Sequence, residues 1–297
     1  VGLGWGLLLP VLLLLAIGLM TIHATEEPRP SGAGRSEDGW FGLGATTTKQ
    51  LVYAGAGFGL LLAVTLPSYK RLGRYGIALY VLVLALLALL VVDIYVDLPM
   101  VPVVRGTRRW IGYGVFQIQP SEFMKLALVV ALARYLRFRS SYRRWLGLLP
   151  PLAMTLVPMV LILKQPDLGT LLMLLPTLFA MLFVAGARLR HLLLIILLGG
   201  ATLPLFYFFG MKEYQRQRVD VVFRQGTADE SWHANQGYQL RQSKTALGIG
   251  RLTGQGYREG VFIRYGLLPE EHNDFIFAII GNQWGLLGCA LVILCFG

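Results

Sequence analysis

The stretch "IALYVLVLALLALLVVDIYV", residues 77–96, decides the class of fold. It is a continuous run of leucine, valine, alanine and isoleucine that carries almost no charge. About 20 predominantly apolar residues in an α-helix cross the hydrocarbon core of a bilayer, which is about 30 Å thick. The stretch therefore predicts a membrane-spanning helix.

Similar runs recur along the whole chain, and they predict an all-α polytopic membrane protein. Apolar residues make up 55% of the 297 residues, charged residues make up 14%, and the mean hydropathy is +0.60. A soluble protein averages about 25% charged residues. A β-barrel would instead alternate apolar and polar residues over short segments. Eight spans are predicted, at residues 3–22, 48–66, 77–96, 120–136, 147–163, 168–186, 192–209 and 274–297.

The loops between these spans predict how the chain is oriented. Three loops are short and basic, as loops on the cytoplasmic side usually are: "SYKRLGRYG" (68–76), "RFRSSYRR" (137–144) and "ARLRH" (187–191). The net charge of +11 therefore does not indicate a nucleic-acid partner. The N-terminus is predicted to be cytoplasmic, and the outward loops are 23–47, 97–119, 164–167 and 210–273.

We expect one transmembrane domain, residues 1–297, with a large extracytoplasmic loop at 210–273. The first apolar segment is too long for a signal peptide and has no basic residue before it, so we expect it to be retained. The 210–273 loop mixes aromatic and basic residues, which is typical of a partly helical segment on a membrane surface, and its glycines at 248–260 mark turns. Both cysteines lie in the last span and are expected to be free thiols.

The outward stretch "RGTRRWIGYGVFQIQPSEFMK" (105–125) departs from the usual charge distribution of membrane proteins. It places Arg105, Arg108 and Arg109 in a loop that is predicted to face away from the cytoplasm. The planar fork of arginine suits the recognition of phosphate. A contact with an anionic lipid is the alternative interpretation.

Two helix starts on the same outward side carry ion-pair candidates. Pro120 fits the first position of the fourth span, with Glu122 in its first turn and Lys125 on the same face. In "KQPDLGT" (164–170), Lys164 ends one span and Asp167 lies in the first turn of the next. Both arrangements are compatible with simple capping of a helix. Ionisable groups at membrane depth are costly, however, and favour a functional hypothesis.

The third outward acid lies in "LLPEEHNDFIFAIIGNQWG" (267–285), where a polar loop runs into the last span. Asp274 is predicted in the first turn of that span, two residues after His272. A carboxylate in a half-desolvated cleft acquires a pKa suited to a general base. Capping of the helix is again the alternative.

Four motifs in order resemble the SEDS family of shape, elongation, division and sporulation proteins, the RodA/FtsW/SpoVE family. They are "RGTRRWI…QPSEFMK", "KQPDLGT", "GYQLRQSKTALGIG" and "LPEEHNDFIFAIIG". "QSK" (242–244) resembles the rod-shape branch, RodA, more than the division branch, FtsW. The chain departs from the family at Asn273, where threonine is usual, and at Asn282-Gln283, where an acidic pair is usual.

The resemblance implies a ten-span fold, of which the final two spans are expected to be missing here. It implies a peptidoglycan glycosyltransferase that polymerises lipid II at the outer face of the bacterial cytoplasmic (inner) membrane. It also implies a transpeptidase partner, a class B penicillin-binding protein. The family's essential aspartate falls on Asp274, and its other functional positions fall on Arg105, Arg109, Glu122, Lys125 and Asp167.

The expected mechanism uses Asp274 as general base toward the 4-hydroxyl of lipid II. Arg105, Arg109 and Lys125 would stabilise the leaving pyrophosphate. A divalent cation, Mg²⁺ or Mn²⁺, held by Glu122 or Asp167 is a further possibility. The alternatives are a lipid II flippase or transporter, a scaffold, and a division-specific polymerase. The middles of the spans are nearly uncharged, which favours chemistry at the surface over transport.

Overall fold

The structure of the protein is a computed structural model. It describes residues 5–26, 43–65, 69–103, 107–113, 116–139, 141–165, 167–211, 215–216, 219–220, 237–268 and 273–297. Across these residues the secondary structure consists of helices and two short antiparallel strands.

The helices and strands follow one another in a simple order. The first half of the chain contains α1 (Trp5–Glu26), α2 (Ala45–Thr65), α3 (Tyr69–Val96), β1 (Ile111–Tyr113), β2 (Phe116–Ile118) and α4 (Pro120–Arg137). A 3₁₀ turn, Ser141–Arg143, leads into the second half. That half contains α5 (Trp145–Lys164), α6 (Leu168–Val184), α7 (Leu189–Leu205), a π-helical turn (Phe206–Gly210), α8 (Tyr238–Gly250), α9 (Val261–Tyr265) and α10 (Ile276–Phe296).

A helix occupies each of the eight stretches that were predicted to span the membrane. Four helices of the described residues, α1, α3, α5 and α10, are long and apolar enough to cross a bilayer. Helices α6 and α7 are apolar but shorter, with 17 residues each. The chain is therefore a multi-pass membrane protein, while the number of eight spans stays a prediction. Large apolar side chains on the outer faces are exposed, Leu7 at 80% and Val184 at 85%, as expected for side chains that contact lipid.

The predicted basic loop at 68–76 is wrong over most of its length, because α3 begins at Tyr69. Lysine, arginine and leucine are good helix formers, and no proline interrupts this stretch, so the helix continues beyond its apolar part. The loop at 97–119, which is predicted to face outward, contains two antiparallel strands that pair Ile111 with Ile118 and Tyr113 with Phe116.

The helices pack as two compact units, and each is described by itself. One unit comprises residues 65–216 and the other comprises residues 1–64 together with 217–297. In the first unit, α4 packs against α3, α5 and α6. Its core is aliphatic and fully buried, with Leu87, Met124, Leu128, Leu132, Leu174 and Leu178 all at 0% exposure.

In the second unit, α10 packs against α1 and α8. Helix α10 is interrupted at Gly285, where φ is 64° and ψ is −156°. Residues other than glycine rarely adopt this backbone conformation. The segment that follows α8 hydrogen-bonds to the backbone groups that the interruption exposes. The amides of Gln255 and Gly256 donate to Asn282 O and Gln283 O at 2.9 and 3.0 Å.

Two more hydrogen bonds complete this junction, and they run in the opposite direction. The amides of Leu286 and Leu287 donate to the carbonyls of Arg251 and Leu252, at 2.8 and 3.2 Å. A broken helix within a membrane is tolerated where neighbouring backbone satisfies its free groups. The glycines predicted to mark turns divide accordingly. Gly248 and Gly250 belong to α8, whereas Gly254 and Gly256 have positive φ in the segment that follows.

Candidate functional site

The buried carboxylate of Asp167 joins the start of α4 to the start of α6. It is the N-cap of α6, and one oxygen accepts from the Thr170 amide at 3.3 Å. The other oxygen accepts from three side chains: the Thr170 hydroxyl at 2.9 Å, the Gln119 amide at 3.0 Å and the Ser121 hydroxyl at 3.1 Å. A negative charge is favourable here because the N-terminus of a helix carries partial positive charge. The sequence predicts Asp167 in the first turn of the helix, whereas it lies just before that turn, as the N-cap.

Helix α4 begins as its sequence predicts. Pro120 occupies the first helical turn after Gln119, and Glu122 lies in the same turn. The Lys125 ammonium lies 2.8 Å from the Glu122 carboxylate, which confirms the predicted pair. The Glu122 side chain is 52% exposed and the Lys125 side chain is 30% exposed, so the pair lies at the surface of the unit. Thr170 contacts the other Glu122 oxygen at 3.5 Å, which connects this pair to Asp167.

Arg109 connects the loop at 97–119 to the turn between α5 and α6. Its Nε donates to the backbone carbonyl of Gln165 at 2.7 Å. The Gln165 side chain is buried and donates in turn to Leu87 O at 3.1 Å. The turn between α5 and α6, which carries Asp167, is therefore attached to both α3 and the arginine loop. Lys164, the last residue of α5, is exposed beside this turn.

Asp93 is the residue that sequence reasoning missed. Its side chain is fully buried at the end of α3, where it accepts from the Leu98 amide at 2.6 Å and from Arg108 at 3.1 Å. Arg108 also pairs with Asp97. The pKa of the Arg108 guanidinium is raised, mainly by its hydrogen bond to Asp93 and secondly by its hydrogen bond to Asp97. A lone acid inside an apolar stretch is the signal that would have identified Asp93.

The sequence predicted that Arg108 would recognise phosphate, but the structure pairs it with Asp93 and Asp97. Two carboxylates compensate its charge, and both lie within its own unit. It holds the loop at 97–119 on the end of α3, while its neighbour Arg109 is directed to the α5–α6 turn. Arg105 and His272, two further predicted site residues, lie outside the described residues.

Asp274 belongs to the other unit, and its placement corrects two expectations. The helix begins at Ile276 with Phe275 as N-cap, so Asp274 lies in the preceding turn rather than in the first turn of α10. Its side chain is exposed rather than half-desolvated. The apolar pattern predicted a helix start at residue 274, which is too early, because Phe275 still belongs to the turn before α10. Its carbonyl accepts the first helical hydrogen bonds, from Ala278 and Ile279.

The amide pair that follows in α10 is completely buried. Asn282 and Gln283 are both 0% exposed. The Asn282 amide donates to Ala246 O and to the Gln255 side chain, both at 3.3 Å. Within the described part of the chain, both polar atoms of the Gln283 side chain lack a hydrogen-bond partner. Neutral amides at these positions cost less to bury than a pair of carboxylates.

The oxygens of Glu122 and Asp167, the residues predicted to hold a cation, have partners within the chain. Four donors already surround the Asp167 carboxylate, and Glu122 is paired with Lys125. A divalent cation requires several oxygen ligands directed toward one point. Where the chain is described, no three His, Cys, Asp or Glu side chains come together as a group that suits a metal. A cation at these residues stays a prediction, to be tested by the metal dependence of activity, and no step is assigned to it.

Replacing Asp167 with alanine should lower the stability of the helical unit that contains it. The change removes the acceptor of four hydrogen bonds and the cap of α6, so we expect a loss of about 2–4 kcal/mol. The thermal unfolding midpoint in detergent measures this effect. The control is Glu122→Ala, which removes a surface ion pair and should cost less than about 1 kcal/mol. Equal midpoints for the two variants would contradict the role given to Asp167.

Comparison with known proteins supplies the remaining evidence. The family model of the cell cycle proteins FtsW, RodA and SpoVE matches residues 6–297. Stage V sporulation protein E of Bacillus subtilis is 33% identical over 300 residues, covering 98% of this chain and 75% of that protein. Peptidoglycan glycosyltransferase MrdB of Escherichia coli is 30% identical over 243 residues, covering 79% of this chain and 61% of that protein.

A solved structure shows the same fold. It is a chain from work on the coordination of polymerization and crosslinking by a peptidoglycan synthase complex, with a TM-score of 0.73 and 27% identity. The alignment covers 99% of this chain and 74% of that one. The chain spans between about half and three quarters of the length of the curated relatives it matches.

Proposed function

Because the chain belongs to the FtsW/RodA/SpoVE family of cell cycle proteins, in which relatives are named peptidoglycan glycosyltransferases, we propose that it polymerises lipid II into glycan strands. The observation that carries the proposal is the family match over residues 6–297. Two features of the chain support it: a polar, partly exposed cluster where α4 and α6 begin, and an exposed carboxylate before α10.

In the proposed reaction, the 4-hydroxyl oxygen of lipid II attacks the anomeric carbon of the growing glycan. The bond between that carbon and the polyprenyl pyrophosphate breaks, and the pyrophosphate leaves with the electron pair. Asp274 accepts the proton of the attacking hydroxyl as general base. Its exposure suits this role because a bulky sugar substrate has to reach the carboxylate. The bound substrate would then exclude water from it.

Lys125 and Arg109 are proposed to stabilise the negative charge that develops on the leaving pyrophosphate. Glu122 fixes the ammonium of Lys125, and the Gln165 carbonyl orients the guanidinium of Arg109. Asp167 is a positioning residue in this account, because its hydrogen bonds from Gln119, Ser121 and Thr170 join the starts of α4 and α6. Lys164, Arg105 and His272 are proposed to contribute to recognition of the polar head of the substrate.

A comparison of two variants tests the role of Lys125. Lys125→Met should lower kcat/KM by roughly 100-fold, because it removes one preorganised group that stabilises charge in the transition state. Glu122→Gln breaks the same ion pair but keeps the ammonium, and it should lower kcat/KM by less than about tenfold. Initial rates of lipid II polymerisation measure both. Equal losses in the two variants would mean that Lys125 acts only through its ion pair.

We propose the cytoplasmic membrane as the location, with a cytoplasmic N-terminus, and cell elongation as the role. The basic loops on one side of the predicted spans and the "QSK" motif support these assignments. A class B penicillin-binding protein is the proposed partner, since the structural relative belongs to a peptidoglycan synthase complex. Depletion of the protein in its host should then produce round cells. Filamentous cells would instead assign the chain to division.

Polymerisation and flipping are separated by one experiment in liposomes. Labelled lipid II is placed in the outer leaflet of vesicles that contain the purified protein, with and without the partner. A polymerase incorporates the labelled lipid II into glycan strands, even though lipid II is present only in the outer leaflet. Movement of unpolymerised lipid II to the inner leaflet, without strands, would favour the flippase alternative.

A further inference from the structure

A cavity lined by basic residues lies in the unit of residues 65–216, away from the candidate site. Its volume is about 580 Å³, within the usual range of ligand pockets. The lining residues are Arg144, Trp145, Arg188, Arg190, His191 and Leu194. They come from the starts of α5 and α7. Since α5 has 20 residues and is about 30 Å long, the cavity lies at the opposite end of α5 from Lys164 and the Asp167 turn.

The three arginines of this cavity lie where positive charge is least favourable. Arg144 is the N-cap of α5, and Arg188 and Arg190 flank Leu189, the first residue of α7. A helix N-terminus carries partial positive charge, so anions stabilise it and cations do not. Neither helix has an acidic residue in its first turn. The cavity therefore combines three cationic side chains with two positive helix ends.

Within the described residues, no salt bridge compensates these three charges. The ion pairs found there involve other basic residues, namely Arg108, Lys125 and Arg264. Three such arginines beside two helix N-termini favour the binding of an anion. A phosphate group accepts two parallel hydrogen bonds from the fork of an arginine, which makes it the anion that suits the cavity best.

His191 provides a second and independent indication of a ligand. Its side chain is 4% exposed, and its Nδ1 is buried without a hydrogen-bond partner in the part of the chain that is described. The imidazole packs against the indole of Trp145, with 4.2 Å between the ring centroids and 39° between the planes. Buried polar atoms are normally hydrogen-bonded, so the unpaired nitrogen of a residue that lines this cavity favours a polar group bound there.

The general preference of cytoplasmic loops for basic residues explains part of this pattern. It accounts for arginines in the loops at 137–144 and 187–191. It does not require that three of them line one cavity, or that an unpaired buried histidine lines it with them. These two features call for a bound group rather than a general attraction to the membrane surface.

We propose that this cavity binds the phosphate headgroup of an anionic membrane phospholipid. The wall of the cavity continues into apolar surface, since Leu194 is 41% exposed and its neighbours Leu193 and Leu197 are 56% and 68% exposed. Acyl chains can follow this face of α7 while the headgroup contacts the arginines. Basic pockets between membrane helices bind such headgroups in this way. The proposal is independent of the catalytic function proposed above.

The test is a titration of the purified protein in uncharged detergent with short-chain phosphatidylglycerol. The thermal unfolding midpoint reports binding, and short-chain phosphatidylcholine is the control lipid. Wild type should be stabilised by phosphatidylglycerol and far less by phosphatidylcholine. The double variant Arg144→Gln/Arg188→Gln should bind phosphatidylglycerol at least about tenfold more weakly. Both arginines are exposed, so the fold should tolerate their replacement.

Arg139→Gln is the matched control, because Arg139 is also exposed and basic but does not line the cavity. It should bind phosphatidylglycerol like wild type. Equal binding by wild type and the double variant, or equal binding of the two lipids, would overturn the proposal. Inorganic phosphate is the third arm of the experiment. If it displaced the lipid at the same concentration, the cavity would be assigned to a soluble phosphate compound instead.

Discussion

Asp274→Asn should lower the rate of lipid II polymerisation by about 100- to 10,000-fold, the range that general bases contribute. Asparagine has nearly the same size and shape as aspartate, but its amide does not accept the proton of the attacking hydroxyl. The side chain is exposed and precedes α10, so the fold should be unchanged. The measurement is the initial rate of strand formation, together with the unfolding midpoint of both proteins.

Glu259→Gln is the matched control for this variant. Glu259 is an exposed acid of the same helical unit, and it pairs with Arg264 at the surface. Its replacement should leave the polymerisation rate within about twofold of wild type, because a surface ion pair contributes little. If Asp274→Asn retained a rate close to that of wild type, Asp274 would not be the base.

Gly250→Ala should destabilise the contact of α8 with α10. A Cβ at residue 250 would lie 2.8 Å from the carbonyl carbon of Gly281 and closer still to its oxygen. Both are backbone atoms, so no side-chain rotation relieves the overlap. Overpacking of this kind costs about 1–3 kcal/mol, which corresponds to roughly 5 °C in the unfolding midpoint of a chain of this size.

Gly248→Ala, in the same helix, is the control for this effect. A Cβ at residue 248 meets no atom within 4 Å. Alanine in an exposed helical position is more favourable than glycine by about 1 kcal/mol, so this variant should be as stable as wild type or slightly more stable. If both variants had the same midpoint, the close packing of α8 on α10 at Gly281 would be wrong.

The helices could be predicted from the sequence because their signals are local. Long apolar runs indicate helices, and Pro120 followed by Glu122 marks the start of α4 correctly. The short turn between α5 and α6 was also predicted, although Lys164 belongs to α5 and Asp167 is the N-cap of α6 rather than part of its first turn. The motifs of residues 105–125 and 164–170 and the acid Asp274 were expected at the same outer level. The contacts of Arg109 with Gln165 and of Asp167 with Gln119 show that the first two motifs lie together within their unit.

The contacts that organise the site could not be predicted, because they join residues that are distant in the chain. Gln119 and Asp167 are separated by 48 residues, and Gln165 and Leu87 are separated by 78. A pattern of apolar residues does not encode such pairs. The sequence does not indicate the packing of Gly250 on Gly281 either, because glycine has no side chain whose polarity would predict burial. The exact start of α10 depends on the turn at Phe275 rather than on apolar content.

The most direct test of the central claim is to incubate the purified protein with labelled lipid II and to resolve the products by size. Wild type should yield a ladder of glycan strands, with or without the transpeptidase partner. Asp274→Asn should bind lipid II but form strands at least about 100-fold more slowly. Lipid II that is bound and never polymerised by wild type under either condition would contradict the assignment as a glycosyltransferase.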